Sequence, residues 1–121
     1  MRSKWIEHQG KQIFFQDFSG IDLDKSDIIK DELVNVQKIV TSQPEDSILI
    51  LADFRGTTIS KNLMDVMQAS SSKTKKFVHK TAVLGVTGTK RILANMLMSL
   101  TGQKLSIFEN EEEAKEWLVQ D

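Results

Sequence analysis

The chain has 121 residues, of which 40% are hydrophobic and 27% are charged, and its formal net charge is −1. This length and composition predict a single domain, residues 1–121, with one core, and they argue against disorder. The charge lacks the basic excess of nucleic-acid-binding proteins, so we expect no nucleic-acid partner. Without cysteine there is no disulfide, thiolate nucleophile or cysteine-ligated metal, and no cofactor is implied.

The N-terminal residues lack the apolar core of about 7–15 residues that defines a signal peptide. The longest strongly apolar run, residues 48–52, is far too short to cross a bilayer. We therefore expect a cytoplasmic protein without an integral membrane segment.

The chain opens with two short runs of mixed apolar and polar residues, 5–9 and 11–18. They are separated by Gln9-Gly10, and because glycine tolerates positive φ, we predict a tight turn between two antiparallel strands. From about residue 24 to 41, apolar side chains recur at steps of four, three and four. This spacing predicts an amphipathic helix.

Residues 48–52 are apolar on both faces, which is typical of a central strand with parallel neighbours. A polar turn at 53–60 leads into a second helix. Residues 81–86 form a second buried strand in this reading, and a third helix follows, with its apolar face on residues 92–100.

A short strand at 105–108 and a last helix complete the pattern, with Asn110 and Glu113 as a start resembling a capping box. The element order is β-β-α-β-α-β-α-β-α. A hairpin followed by alternating strands and helices predicts an α/β fold with a single mixed sheet, part of it parallel. The strand order stays open.

The turn after the central strand is the richest candidate site. It gathers a carboxylate, a guanidinium, a glycine and three hydroxyls: Asp53, Arg55, Gly56, Thr57, Thr58 and Ser60. Open α/β sheets bind ligands at the carboxyl ends of their strands. The start of the next helix adds backbone N–H groups that attract anions.

Two interpretations of this turn stand side by side. In the functional one, Arg55 clamps an anion and one of the hydroxyls accepts a phosphate. In the structural one, Gly56 supplies the backbone geometry, a hydroxyl caps the helix, and an interaction between Asp53 and Arg55 fixes the loop.

A second strand-to-helix junction, residues 85–91, combines glycines, threonines and two cations. Its candidate anion-binding residues are Thr87, Gly88 and Lys90. The helix dipole disfavours cations in a first turn, and a bound anion relieves that conflict. Because the spacing matches neither glycine-rich nucleotide motif, a solvated pair of cations beside a packing glycine is the alternative.

Catalytic signatures are sparse. Asp53 is the best candidate for a general base, but a carboxylate alone is no mechanism. The two histidines, His8 and His79, lie on different predicted elements, and His79 lies between lysines without an acidic neighbour. Neither histidine therefore predicts a catalytic base or a metal ligand.

Four segments carry a family resemblance: residues 50–57, 82–88, 105–108 and 113–118. Their most distinctive patterns are "DxRG" in the turn and the closing "F…EAxxWL". In this order the segments resemble small bacterial STAS-like proteins, which are similar to the stage II sporulation AA protein and related to the CRAL-TRIO lipid-binding fold.

The resemblance implies a mixed sheet of four or five strands, helices mainly on one face, and self-association as a homodimer. In regulatory STAS domains, the turn after a central strand carries the phosphoacceptor serine, and a kinase or anti-sigma factor docks there. Residues 53–60 correspond to that surface by position. Those domains typically have Asp-Ser-Ser/Thr-Gly, whereas this chain has Phe54 and Arg55 between Asp53 and Gly56, without a hydroxyl where the acceptor is expected.

Three functions follow. The leading hypothesis is a non-enzymatic regulatory or binding domain that recognises a protein or a small anionic ligand through residues 53–60. The second, from the CRAL-TRIO likeness and the adaptable methionine side chains, is a carrier of a lipid or small apolar ligand. The third is an enzyme that uses Asp53 and Arg55.

Overall fold

A computed structural model describes residues 2–21, 26–57, 61–85 and 105–120. The strands are β1 (Lys4–His8), β2 (Lys11–Asp17), β3 (Ile48–Asp53), β4 (Val78–Leu84) and β5 (Leu105–Phe108). The described helices are α1 (Ser26–Val40), α2 (Lys61–Thr74) with a 3-10 turn at Lys75–Phe77, and α3 (Glu111–Val119).

All five strands form one mixed sheet in the order β1-β2-β3-β4-β5. β1 pairs antiparallel with β2, and each of the other neighbouring pairs is parallel. The hairpin turn has Gln9 at φ 51° and Gly10 at φ 80°, and two successive positive φ angles characterise the type I′ turn that matches strand twist. The predicted α/β class, mixed sheet and N-terminal hairpin are confirmed.

The central strand β3 is buried along its whole length, because helices cover both faces of the sheet. One core cluster joins the sheet to the apolar stripe of α1, with side chains of α2 against it. The other joins the opposite face to Ala114 and Leu118 of α3. Two described helices thus share one face, and α3 lies on the other.

The predicted bounds of the strand at 81–86 are wrong at both ends. β4 begins at Val78, which pairs with Ile48 of β3, and Lys80 lies inside the sheet with only 3% of its surface exposed. It ends at Leu84, since Gly85 has a φ of +79°, which is left-handed rather than extended backbone. The predicted helix over 92–100 and the cap at Ser60 lie outside the described residues.

Lys80 holds the carboxyl end of α3. Its ammonium donates to the carbonyl oxygens of Trp117 and Gln120 at 2.9 and 2.7 Å and lies 4.9 Å from the centre of the Trp117 ring. Lys11 donates to the Val119 carbonyl at 2.9 Å. Both cations lie at the helix end where the dipole and the unpaired carbonyls favour positive charge.

Within the described ranges, no helix has the length and apolar character needed to cross a membrane.

Replacing the buried ammonium with an apolar side chain of similar length is expected to loosen α3. Lys80→Met should lower the free energy of unfolding by about 1.5–3 kcal/mol, the usual worth of hydrogen bonds to a charged group. Urea denaturation measures the change. Lys76→Met is the control, because the Lys76 side chain is 65% exposed and its loss should cost about 0.5 kcal/mol or less. Equal stability of the two variants would contradict the role of Lys80.

Candidate functional site

The carboxyl ends of the parallel strands meet at one edge of the sheet, and the turn that follows β3 lies there. We call residues 53–57 the β3 turn. The amide of Thr57 donates to the Phe54 carbonyl at 3.1 Å, which closes a four-residue turn. Gly56, its third residue, has a φ of +74°, as type II turns require.

The side chain of Phe54 anchors the β3 turn in the core. Phe54 is 2% exposed, and its ring stacks on that of Phe18 with 5.3 Å between the centroids. This position is the first of the two at which STAS domains typically have hydroxyl side chains, and here it contributes a core aromatic ring.

The chain leaving β2 runs alongside the β3 turn and is bonded to it. The amides of Phe18 and Gly20 donate to the carbonyls of Asp53 and Arg55 at 3.0 and 2.9 Å. The Thr57 hydroxyl accepts from the amide of Ile21 at 3.1 Å and donates to the Phe18 carbonyl.

Thr57 is 1% exposed, and its hydroxyl joins two segments of backbone. This placement disfavours Thr57 as a phosphoacceptor, because a kinase needs an accessible hydroxyl.

The carboxylate of Asp53 is held almost entirely by Arg55. It accepts from the Arg55 amide at 2.9 Å, from Nε at 3.0 Å and from Nη2 at 2.8 Å. The side chain of Asp53 is 5% exposed, whereas that of Arg55 is 49% exposed. The hydrogen bond with Asp53 is the main cause that raises the pKa of Arg55. The interaction expected in the structural interpretation is therefore present.

Two side chains of α3 extend this ion pair into a row of alternating charge. Arg55 Nη2 donates to Oε1 of Glu111 at 3.1 Å, and Lys115 Nζ lies 2.9 Å from the other oxygen of Glu111. The hydrogen bond from Lys115 outweighs partial burial and, with Arg55, lowers the pKa of Glu111 below its ordinary value of 4.5. The Arg55 guanidinium thus lies between two carboxylates, which disfavours capture of a free small anion.

Sequence reasoning missed Glu111 and Lys115 as members of the site. The acidic start of the last helix is visible in the sequence, but its proximity to Arg55 follows from the parallel alignment of β3, β4 and β5. Without the strand order, no local signal places this helix beside the β3 turn.

Gly85, at the exit of β4, lies directly against the β3 turn. A Cβ at this position would lie 2.6 Å from both the backbone nitrogen and the Cα of Arg55. Such a distance is far inside van der Waals contact, so only glycine allows the two strand exits to approach this closely.

Both histidines have acidic partners that are distant in sequence. Nδ1 of His79 lies 3.1 Å from Oδ1 of Asp46, which corrects the expectation that His79 has no acidic neighbour. Nε2 of His8 lies 3.1 Å from Oε1 of Glu116. Asp46 lies before the start of β3, and Glu116 pairs with the end of β1. Neither pair therefore lies at the β3 turn.

The remaining predicted site residues lie outside the described part of the chain: Thr58, Ser60, Thr87, Gly88 and Lys90. Within the described residues, no three histidine, aspartate or glutamate side chains are grouped to hold a metal ion.

Comparison with solved structures identifies the fold. The chain is similar to an uncharacterised protein of the DUF3478 family from Shewanella loihica PV-4, described as having a SpoIIAA-like fold. The TM-score is 0.72 at 13% sequence identity, over 96% of this chain and 91% of that chain. The fold is SpoIIAA-like. No family model and no curated protein matches the sequence. The resemblance to SpoIIAA-like proteins is thus confirmed for the fold.

Adding a methyl group at Gly85 is expected to push the β3 turn away from β4. Gly85→Ala should lower the free energy of unfolding by about 2–4 kcal/mol, from left-handed backbone strain and overpacking together. Gly10→Ala is the matched control, since Gly10 has a φ of +80° and open space around it. Thermal and urea unfolding compare the two variants, and equal losses would contradict the close approach.

The row of alternating charge formed by Asp53, Arg55, Glu111 and Lys115 predicts how the free energy of unfolding depends on pH. Because folding lowers the pKa of Glu111, its contribution is complete above the unfolded value and disappears as pH falls through the folded pKa. Glu111→Gln should therefore cost about 0.2–1 kcal/mol at pH 7 and nothing at the acid end. Urea unfolding from pH 7 to 3 measures this difference, and 0.5 M NaCl should shrink it. A difference that is constant with pH would refute the prediction.

Proposed function

We propose that this chain is a non-enzymatic binding domain that recognises a protein partner at the carboxyl edge of its sheet. The recognition surface consists of the β3 turn and the first turn of α3. The observation that carries the proposal is the half-exposed guanidinium of Arg55, which is held in one orientation by Asp53 and Glu111.

Rigidity supports a recognition role for this turn. Its backbone is bonded to the β2 exit, packed against Gly85 and anchored by Phe54. A surface that is already ordered loses little conformational entropy on binding. Arginine is also enriched among the residues that dominate binding energy at protein interfaces.

A protein partner suits the charge pattern better than a small anion does. Asp53, Arg55, Glu111 and Lys115 alternate in sign along this surface, and Glu112 and Glu113 of the first turn of α3 add two further negative charges. A small anion would compete with the carboxylates of Asp53 and Glu111 for Arg55, and both carboxylates would repel it. An extended surface with its own alternating charges can complement the row, and such complementarity selects partners.

The enzymatic hypothesis is weakened by the state of Asp53. A general base needs a lone pair within reach of its substrate, whereas both oxygens of Asp53 accept from Arg55 and the side chain is 5% exposed. The lipid-carrier hypothesis is weakened by size. The cavity between the sheet and the helices α1 and α2 has about 80 Å³, against roughly 300–1,000 Å³ for pockets that take drug-sized ligands.

The fold is compatible with a regulatory role. The surface proposed here corresponds by position to the one at which kinases and anti-sigma factors dock on regulatory STAS domains. The hydroxyl-free sequence of positions 54 and 55 favours constitutive recognition over switching by phosphorylation at those two residues.

Neutralising the pair of Asp53 and Arg55 tests the proposal. Asp53→Asn/Arg55→Gln keeps the net charge and the shape of side chain 53 but removes the fixed guanidinium of Arg55. Capture by the immobilised chain from a lysate of its own cells, quantified by mass spectrometry, should fall about tenfold for the specific partner, equivalent to about 1.4 kcal/mol.

The control is Glu45→Gln/Lys76→Gln, which removes an exposed ion pair (3.9 Å) before β3 and β4, at the opposite edge of the sheet. It should capture the partner as the wild type does. Melting curves check that both variants fold. Glu112→Lys, whose wild-type side chain is 71% exposed beside Lys115, probes the same surface without disturbing Asp53. Equal capture by all proteins, or no specific capture by the wild type, would reject the proposal.

A further inference from the structure

The first strand, β1, is an open edge of the sheet. In the strand order of the described residues, β1 has β2 on one side and no neighbour on the other. Residues that flank a two-residue hairpin turn exchange both backbone hydrogen bonds, and the bonds alternate from there along the strand. Because His8 is paired with Lys11, the backbone groups of Trp5 and Glu7 point away from β2. Such an exposed row is a template for another strand.

Apolar side chains lie beside this open edge, on the face of the sheet that α1 covers. Trp5 is 40% exposed, and its ring centroid lies 5.0 Å from that of Phe14, a core residue of that face. Ile28 of α1 is 41% exposed. It lies one helical turn before Glu32, whose carboxylate accepts from the Ser3 amide next to β1. Two of the three large exposed apolar side chains in the described structure therefore flank the open edge.

We propose that β1 pairs with β1 of a second copy of this chain, antiparallel and about a twofold axis at Ile6. The two five-stranded sheets then form one continuous sheet. Trp5 of each copy lies opposite Glu7 of the other and exchanges both backbone hydrogen bonds with it, so about four such bonds cross the interface. Because the axis is perpendicular to the sheet, the two α1 helices lie on the same face, where Trp5 and Ile28 of both copies become covered.

Two features of the described structure select the axis at Ile6 over the neighbouring registers. An axis at Trp5 pairs Ser3 with Glu7, but the Ser3 amide already donates to the Glu32 carboxylate. An axis at Glu7 places two glutamates directly opposite each other, which is destabilising. Of these three registers, only the axis at Ile6 pairs all five residues of β1.

The charges on the other face of β1 make the strand complementary to itself. In the proposed register, Lys4 of each copy lies opposite His8 of the other. Nε2 of His8 lies 3.1 Å from Oε1 of Glu116, and the Glu116 side chain is 49% exposed. The Lys4 ammonium is therefore within reach of the Glu116 carboxylate of the second copy. Charged side chains usually keep edge strands apart, but the charges brought together here have opposite signs, which favours a second copy over an unrelated strand.

Sedimentation equilibrium of the whole chain tests the proposal, and the wild type is expected to dimerise. Glu7→Pro removes an amide that donates across the interface, while an edge strand tolerates proline where the N–H faces solvent. Each dimer then loses one hydrogen bond per copy, so dimerisation should weaken about tenfold or more. Glu7→Thr is the matched control, because it keeps the amide and favours strand structure, and it should dimerise within about threefold of the wild type. Melting curves check that both variants fold.

Disulfide cross-linking tests the register, since the chain contains no cysteine. Ile6→Cys places two cysteines opposite each other on the axis, with about 4.5 Å between their Cα atoms, which a disulfide can bridge. Lys4→Cys is the control on the same strand, because its symmetry mate lies roughly 13 Å away along the strand, beyond the limit of about 7 Å. After incubation with oxidised glutathione, a non-reducing gel should show a covalent dimer for Ile6→Cys and not for Lys4→Cys.

Three results would overturn the proposal: a wild type that stays monomeric at about 0.1 mM, equal dimerisation of Glu7→Pro and Glu7→Thr, or cross-linking of Lys4→Cys in preference to Ile6→Cys. The partner surface at the carboxyl edge is tested separately, because Asp53→Asn/Arg55→Gln should lose its protein partner and still form the dimer.

Discussion

The burial of one carboxylate governs the architecture around the proposed site. Asp53 ends the central strand at a position where its side chain is 5% exposed, and an ionised group there is costly unless it is paired. Arg55 supplies the pair from two residues away, and the chain turns at Gly56 directly after it. The backbone of Arg55 lies so close to the exit of β4 that the residue there must lack a side chain, and Gly85 meets this requirement. The glycine, aspartate and arginine residues at these positions therefore depend on one another.

Much of the fold follows from local patterns in the sequence. The apolar spacing of Ile29, Leu33 and Val36 predicts α1, and the unbroken apolar run at 48–52 predicts β3 with its parallel neighbours. The start of β4 could not be predicted in the same way. Lys80 reads as a surface residue because its burial depends on the carbonyls at the end of α3, more than thirty residues away in sequence.

The same distinction between local patterns and contacts distant in sequence applies to the candidate site. The pair of Asp53 and Arg55 is a local interaction, and two opposite charges two residues apart in one turn suggest it. The positions of Glu111 and Lys115 depend on which strands are neighbours, and periodicity carries no information about strand order.

Both ends of α3 are held by charged side chains, one end by the β3 turn and the other by the sheet. Arg55 contacts its first turn, and Lys80 with Lys11 binds its last carbonyls. Within the described structure, this helix supplies the main cover for the apolar side chains of Leu51 and Leu84 on its face. During synthesis, that face stays uncovered until residue 120 has left the ribosome. On this face the core therefore receives the cover of α3 only after all five strands have been synthesised, since α3 follows β5 in the chain.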